Sequence, residues 1–578
     1  MHDAVAKREP HSASITHGSA FDSWASATQS LRLRLSWNPS SEHRRTLPRC
    51  PLAAQKDPTL TNTKTQPAGA HLVGADGTGN GVNPFPIVGI GASAGGLEAF
   101  RRLLGALPSD TGMAYVLVQH LAPDHESILA ELLSEVTDMG VAEVKGDVRV
   151  RPNEVYVIPP SRGLILEDDF LKLVPRTLPG TAHMPIDAFM KTLADVRGRQ
   201  AIGVILSGMG TDGTLGLQAI EAAGGIAFAQ EPTSAQSDSM PRSAIQAGGV
   251  DFILSPEEIA GELVRLGQHP YIVGGAPTPA ASEAPGASTA EESSDDREGL
   301  ARILEQLRAA GGTDFAAYKK TTLRRRIARR MAVTRAETLL GYARLLEGNV
   351  AEVSALHEDC LISVTSFFRD PEVFDALTER VISALLEDRA SNAPLRVWVP
   401  GCATGEEAYS IAMCLLERMA KLSLNTTLQI FATDLSESAL AKAREGKYVI
   451  NIARDVSAER LQRFFTKVGD YYQISKTIRE ICVFARHDLT RDPPYSRLDL
   501  ISCRNVLIYL EPRLQEVVFA TFHYALKPNG YLVIGPAETV GASVPLFKAV
   551  DEKRRIYSRN TVDGAPRLLS VMGQRHHS

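Results

Sequence analysis

The chain has 578 residues, of which 44% are apolar and 22% charged, and its formal net charge is −5. That length exceeds any single small domain and fits roughly three to five. The composition excludes a collagen-like repeat and a wholly disordered chain, and the acidic balance gives no global reason to bind nucleic acid. No run of about 18 apolar residues exists to span a membrane, and the N-terminus lacks the apolar core of a signal peptide. The six cysteines, at 50, 360, 402, 414, 482 and 503, are sparse and irregular. They argue against disulfides and for a reducing, cytoplasmic setting. The 14 histidines show no metal-ligand spacing, so no metal is expected.

Residues 1–83 are rich in Ser, Thr, Gly and Pro without apolar periodicity, which predicts a disordered tail. A first folded block spans 84–272. The stretch 273–298, GGAPTPAASEAPGASTAEESSDDRE at its heart, predicts a flexible linker. The second block divides into a helical part, 299–372, and an α/β part, 373–560, with 561–578 as a C-terminal tail.

In the first block PIVGIGASAGG reads as a strand and glycine turn, followed by the amphipathic helix LEAFRRLLGAL. AYVLVQHL, AIGVILSGMGTDG and GIAFAQ continue the alternation, with TLGLQAIEAAG as a helix. Continuous apolar strands alternating with helices predict a parallel, Rossmann-like sheet covered on both faces. Its site belongs at the carboxyl ends of the strands. Three residues there carry chemistry: Ser93 in Gly91-Ala92-Ser93-Ala94-Gly95, His120 and Asp212. A hydroxyl, an imidazole and a carboxylate at neighbouring strand ends suit nucleophile, base and orienter. Each alone is weak. The GxSxG pattern also fits an α/β-hydrolase elbow, although there the acid precedes the histidine. Gly89-x-Gly91-x-x-x-Gly95 also reads as dinucleotide-binding, and His120 as a satisfied half-buried histidine.

The motifs IVGIGASAGG, VLVQHLAPDHES, HMPID and LSGMGTDG, in this order, resemble the catalytic domain of the chemotaxis protein-glutamate methylesterase family, CheB. The resemblance covers 84–265. It implies Ser93 as nucleophile, His120 as general base and Asp212 as orienter. It also implies that His183 lines the site and that the Met209 backbone N–H helps hold the oxyanion. Regulatory members carry an N-terminal receiver domain, for which residues 1–83 are too short and too poor in strands.

The second block opens with the amphipathic stretch REGLARILEQLRAA. FAAYKKTTLRRRIARRMAV then predicts one helix with a basic face of Arg324, Arg325, Arg326, Arg329 and Arg330. Such repulsion needs an acidic neighbour or partner; a solvated face and a phosphate polyanion are the alternatives. From residue 394 the α/β pattern returns, with LRVWVPGCATG, TLQIFATD, EICVFARHDL and LDLISCRNVLIYL as strands and KPNGYLVIG as a hairpin-type end strand. A glycine loop after the first strand and an acid ending the second suit a nucleoside-containing ligand. GDYYQISKTIRE predicts a small β-subdomain.

VTSFFRDPEVF, VWVPGCATGEEAYSIAM, FATDLSESALAKAREGKY, FARHDLTRDPPYSRLDLISCRNVLIYL and LKPNGYLVIG resemble the chemotaxis receptor methyltransferase family, CheR. The match covers 299–560 and implies an all-α subdomain before a Rossmann-like domain that uses S-adenosylmethionine. It implies donor contacts at Ser363, Thr365, Arg369, Glu407, Asp434, Asp488, Leu489, Asn505 and Val506, with Arg504 and Tyr509 on the methyl-acceptor side. Some members carry Asn at the positions of Ser363 and Asp488. The basic helix would meet a Glu-rich receptor helix. Together the blocks imply an enzyme that methylates glutamates of methyl-accepting chemotaxis receptors and hydrolyses the resulting esters. It would act at membrane-bound receptors without itself being membrane-embedded, and no nucleic-acid partner is expected. The rivals are the same chemistry on another signalling protein, an ordinary serine esterase fused to a methyltransferase, and a non-catalytic scaffold.

Overall fold

A computed structural model describes residues 85–120, 128–176, 183–274, 293–362, 364–387 and 394–561. The predicted tails, most of the linker and Ser363 lie outside the described residues.

The first block holds β1 (Ile87–Ala92), β2 (Ala114–Gln119), β3 (Gly140–Glu143), β4 (Val148–Arg149), β5 (Glu154–Val157), β6 (Arg162–Glu167), β7 (Phe170–Pro175), β8 (Ala201–Ile205), β9 (Ile226–Gln230) and β10 (Phe252–Leu254). Seven of them form a parallel sheet in the order β10-β9-β8-β1-β2-β5-β3. Every residue of β1, β8 and β9 is buried, as an apolar strand covered on both faces requires. The sequence reading found four of these strands. It missed β3, β5 and β10, and also the small antiparallel sheet β4-β7-β6. The chain reverses direction across the sheet between β1 and β8, the place where such folds open a crevice.

The second block begins with the helix Ser294–Gly311. The predicted basic helix starts late, at Lys320, and runs to Thr334. Ahead of it Tyr318 is extended and bridges to Leu510, and the Lys319 N–H donates to Tyr509 O at 2.9 Å. Then come β11 (Leu395–Pro400), β12 (Leu428–Asp434), β13 (Lys447–Val449), β14 (Phe465–Val468), β15 (Tyr471–Ile474), β16 (Cys482–Arg486), β17 (Leu498–Cys503), β18 (Leu526–Ile534), β19 (Phe547–Asp551) and β20 (Ile556–Arg559). The main sheet runs β16-β12-β11-β17-β18-β20-β19, and β13-β15-β14 form the expected small sheet. KPNGYLVIG is not the hairpin end. It lies in β18, which runs parallel to β17, and the antiparallel ending is the β19–β20 pair. Trp398 is fully buried in β11, and its indole N–H donates to Thr433 Oγ1 at 3.0 Å.

The basic helix corrects a second expectation. Arg326 and Arg329 are 0% exposed, so they cannot form a face for a receptor. Arg329 donates to Gly225 O (2.9 Å) and Asp251 (2.7 Å) in the first block, and to Asp359 (2.6 Å) in the second. Arg326 donates to the carbonyls of Glu221 and Ala222 at 2.9 and 2.5 Å. Arg330 makes a two-pronged bond to Glu352 at 2.9 and 2.6 Å. Arg325 is half-buried against Gly224, and Arg324 is half-buried too. The acidic partner required by this charge density lies within the chain. Ala328, Ala332 and Val333 of the same helix join the apolar core beneath the first block's sheet, while Leu323 and Ile327 pack among the second block's helices.

This cluster has a measurable weight. Arg329→Met would take the nearest cation from Asp251 and Asp359, whose side chains are only 5% and 13% exposed, and a loss of about 3–5 kcal/mol is expected in denaturant unfolding. A loss below about 1 kcal/mol, the size of an exposed pair, would show that the cluster is hydrated.

Candidate functional site

Two sites occupy the carboxyl ends of the two sheets. In the first block Ala92 and Gln119 are the last paired residues of β1 and β2. Ser93 and His120 therefore leave the sheet side by side. The Ser93 N–H donates to Ser207 O at 3.0 Å, fixing the turn against the loop after β8. The turn ends at Gly95, whose φ of 77° favours glycine; a Cβ there would stand 2.7 Å from Ser207 Oγ. Asp212, 2% exposed, accepts from His120 Nε2 at 2.8 Å. It also accepts backbone N–H bonds from Ile186 (3.0 Å), Asp187 (2.9 Å) and Gly213 (3.0 Å). Those three donors fix the orientation of the carboxyl group. One imidazole nitrogen is thus committed to a buried carboxylate, and the other remains available as donor or acceptor.

His183 stands beside this pair, its ring centroid 6.3 Å from that of His120. Burial, then the charge of Arg176, holds His183 below the usual histidine range, so it is the neutral imidazole at neutral pH. Around Met209, the Gly208 N–H donates to Ser237 O (2.9 Å) and the Gly210 N–H to Ser239 Oγ (3.3 Å). The Met209 N–H between them has no partner among the described residues, and its side chain is exposed.

In the second block a cleft of about 1010 Å³, its open mouth included, lies over β11, β12 and β17. Thr365, Arg369, Glu407, Asp434, Asp488, Leu489, Arg504, Asn505, Val506 and Tyr509 all line it. Gly401, directly after β11, has φ 69°, where a Cβ would run into Val506, so the loop and the wall opposite approach as only glycine allows. Asp434 closes β12 and accepts from Ala403 N–H (2.8 Å) and Ser436 N–H (3.0 Å). Burial raises its carboxyl, and these backbone donors oppose the rise. Glu407 accepts from Ser502 Oγ at 2.7 Å and meets Arg504 at 3.4 Å. Arg504 is pinned by Asp370 (2.7 Å) and the Arg369 carbonyl (2.8 Å). The Asn505 loop hangs on Glu538, which accepts from the N–H groups of Asn505 (3.1 Å) and Leu507 (2.7 Å). The narrow glycine wall, the two acids and the mixed polar and apolar lining suit a nucleoside bearing a charged amino-acid tail. Among the described residues no cluster of His, Cys, Asp or Glu could hold a metal ion.

Known families match both blocks. The family model described as CheB methylesterase matches residues 88–263, CheR methyltransferase all-alpha domain 298–360, and CheR methyltransferase SAM binding domain 363–556. A Listeria monocytogenes chemotaxis protein methyltransferase is 36% identical, over 40% of this chain and 85% of that protein. A Leptospira interrogans protein, provisionally named a protein-glutamate methylesterase/protein-glutamine glutaminase, is 34% identical over 32% of this chain and 96% of its own length. The chain belongs to both families. An uncharacterized 104.1 kDa protein of Rhodobacter capsulatus is 39% identical over 76% of this chain, which spans only 47% of that relative's length. Among solved structures, the catalytic domain of Thermotoga maritima CheB methylesterase is 28% identical, covering 32% of this chain and 99% of its own, with a TM-score of 0.30.

Several residues around the methyltransferase cleft escaped the sequence reading. Tyr318 reaches it from the helical subdomain, and Leu361, Leu435, His487 and Thr490 complete its walls. Tyr318 carried no signal of its own, because its partner Leu510 is remote in sequence. Glu406 and Glu538 were also missed. Glu406 opens the helix Glu406–Lys421 and accepts from Thr404 Oγ1 at 2.6 Å.

Burial pushes the Glu406 carboxyl up to about 7. A folded value above the unfolded one of about 4.5 means the native state holds its proton more tightly. That contribution is complete below about pH 4.5 and is lost as pH rises towards 7. Glu406→Gln should abolish this decline, so that the variant gains on the parent by up to about 3 kcal/mol above pH 7. Thermal melts between pH 5 and 8 would show it, and parallel curves would remove Glu406 from the account.

Proposed function

We propose that the protein is a bifunctional cytoplasmic signalling enzyme acting on glutamate side chains of methyl-accepting chemotaxis receptors. One domain forms γ-methyl esters, and the other hydrolyses them to glutamate and methanol. The observation that carries this reading is the pairing, in one chain, of the His120–Asp212 couple beside Ser93 with the acid-floored cleft around Asp434.

In the esterase, Ser93 Oγ attacks the ester carbonyl while His120 takes its proton. The tetrahedral oxyanion is held by the Met209 N–H, whose neighbours are already engaged. Collapse breaks the bond to the methoxy group, which leaves as methanol with the proton from His120. Water, deprotonated by the same imidazole, then frees the glutamate and Ser93. Asp212 keeps the ring oriented and balances its transient charge.

Bound S-adenosylmethionine would supply the methyltransferase with an activated methyl group. Asp434 and Glu407 would hold its ribose and amino group, with Asp488, Leu489, Asn505 and Val506 framing the rest; Thr365 and Arg369 line the same cleft. Arg504, immobilised by Asp370 and Glu407, would hold the acceptor carboxylate with Tyr509. A glutamate is already ionised at neutral pH, so the chain needs no base, only position and exclusion of water.

Ser93→Ala should abolish methanol release from a γ-methyl-ester receptor fragment while S-adenosylmethionine binding stays intact. Persisting turnover would reject Ser93 as nucleophile. Asp434→Ala should weaken the donor by roughly 1–3 kcal/mol in calorimetry, the worth of a buried charged hydrogen bond. An unchanged Kd would remove Asp434 from the donor site.

A further inference from the structure

The methyltransferase block reaches the back of the esterase triad. Asp187, next to Asp212 in that site, is 0% exposed. Its N–H donates to Asp212 Oδ1, and its Oδ1 accepts from the Gly216 N–H at 2.8 Å. Its second oxygen, Oδ2, accepts from Asn451, which belongs to the other domain. Asn451 is also 0% exposed. Its Nδ2 donates again to Thr211 O at 3.1 Å, and its Oδ1 accepts from Thr211 Oγ1. Thr211 immediately precedes Asp212. One amide therefore clamps both the neighbouring acid and the residue before the triad acid.

The clamp is itself held rigidly. Asn451 lies in the 3-10 turn Ile450–Arg454 directly after β13. In β13 the Tyr448 hydroxyl donates to Thr404 O, in the loop that walls the donor cleft, at 2.7 Å. The flanking Arg454 donates to Met184 O, beside His183, at 3.4 Å.

Two adjacent buried carboxylates repel, and each needs donors to stay ionised and oriented. Asp212 has three backbone donors and the imidazole. Asp187 has one backbone donor and depends on Asn451 for its other oxygen. We infer that Asn451 is a positioning residue of the esterase, supplied across the domain boundary, which holds the Asp187–Asp212 pair behind His120. The inference rests on the reading of Ser93, His120 and Asp212 as the hydrolytic triad. It makes the esterase site incomplete without the docked methyltransferase block.

The charged groups facing Asp187 are Asp212 on the loop after β8 and Lys191 in its own helix; Gly216 and Asn451 present neutral donors. His120 is bonded to Asp212, and Arg176 and Arg454 stand further out, around His183. Burial and Asp212 already raise the Asp187 carboxyl. Loss of the Asn451 donor keeps Asp187 protonated to higher pH. His120 then faces a carboxylate pair that carries less negative charge.

The test uses the full chain and a synthetic helical peptide bearing a glutamate γ-methyl ester, with methanol release read from pH 5 to 9. Asn451→Ala should lower kcat by about tenfold or more, with KM changed less than about twofold. The shape of its pH profile should also change, because Asp187 ionises only at higher pH without the Asn451 donor. N451D preserves size but offers no donor once ionised, so its activity should be nearest to the parent at acid pH and fall away as pH rises. Lys442→Ala removes another cross-domain bond, to Ala247 O at 2.6 Å, away from the carboxylates, and should keep the parental profile. Parental kcat and pH profile in both Asn451 variants would overturn the inference. So would an equal loss in Lys442→Ala, which would make docking in general, not Asn451, the cause. Methanol release that persists in Ser93→Ala would instead sink the triad reading itself.

Discussion

The architecture turns on a guanidinium buried between two domains. Arg329 is enclosed by Asp251 of the esterase and Asp359 of the methyltransferase's helical subdomain, with Arg326 and Arg330 beside it. Removing such charges from water is costly, and the interior returns that cost only when every donor and acceptor is matched. A slide of the helix by one turn would break all of these bonds together. The cluster therefore discriminates one docking from its neighbours more sharply than an apolar contact would. The apolar contacts of Ala328 and Ala332 with the esterase core then supply the attraction.

From that docking follows the meeting of the two sites' supports. The β13 turn is brought against the esterase acids, and Tyr448 ties the same strand to the wall of the donor cleft. Each site uses the standard geometry of its fold, a crevice at the carboxyl edge of a parallel sheet. Here their supports also meet across the domain boundary.

Much of this was legible in the sequence, for local reasons. Continuous apolar strands ending in glycine turns announced β1, β8 and β11, and chemistry-bearing residues at strand ends announced Ser93, His120, Asp212 and Asp434. The remainder depends on remote partners. The arginine helix advertised its charge but not its counter-ions, because Asp251 lies 78 residues away and Glu221 lies 105 away. Tyr318 sits in a helix-compatible run and leaves it where it bridges to Leu510 and Lys319 bonds Tyr509. The β19–β20 hairpin is short and its connection, Glu552-Lys553-Arg554-Arg555, is polar, so it carried little period-two signal. Asn451 read as an ordinary loop residue, and its partner Asp187 is 264 positions distant.

Contacts of this kind should make the two enzymes unfold as one cooperative body. Calorimetry of the full chain with and without S-adenosylhomocysteine, a probe for the methyltransferase cleft alone, tests it most directly. Ligand binding stabilises every region that unfolds together with its site. One unfolding transition that moves upward as a whole when the probe is added is expected. Two separate transitions, of which only one moves, would contradict it.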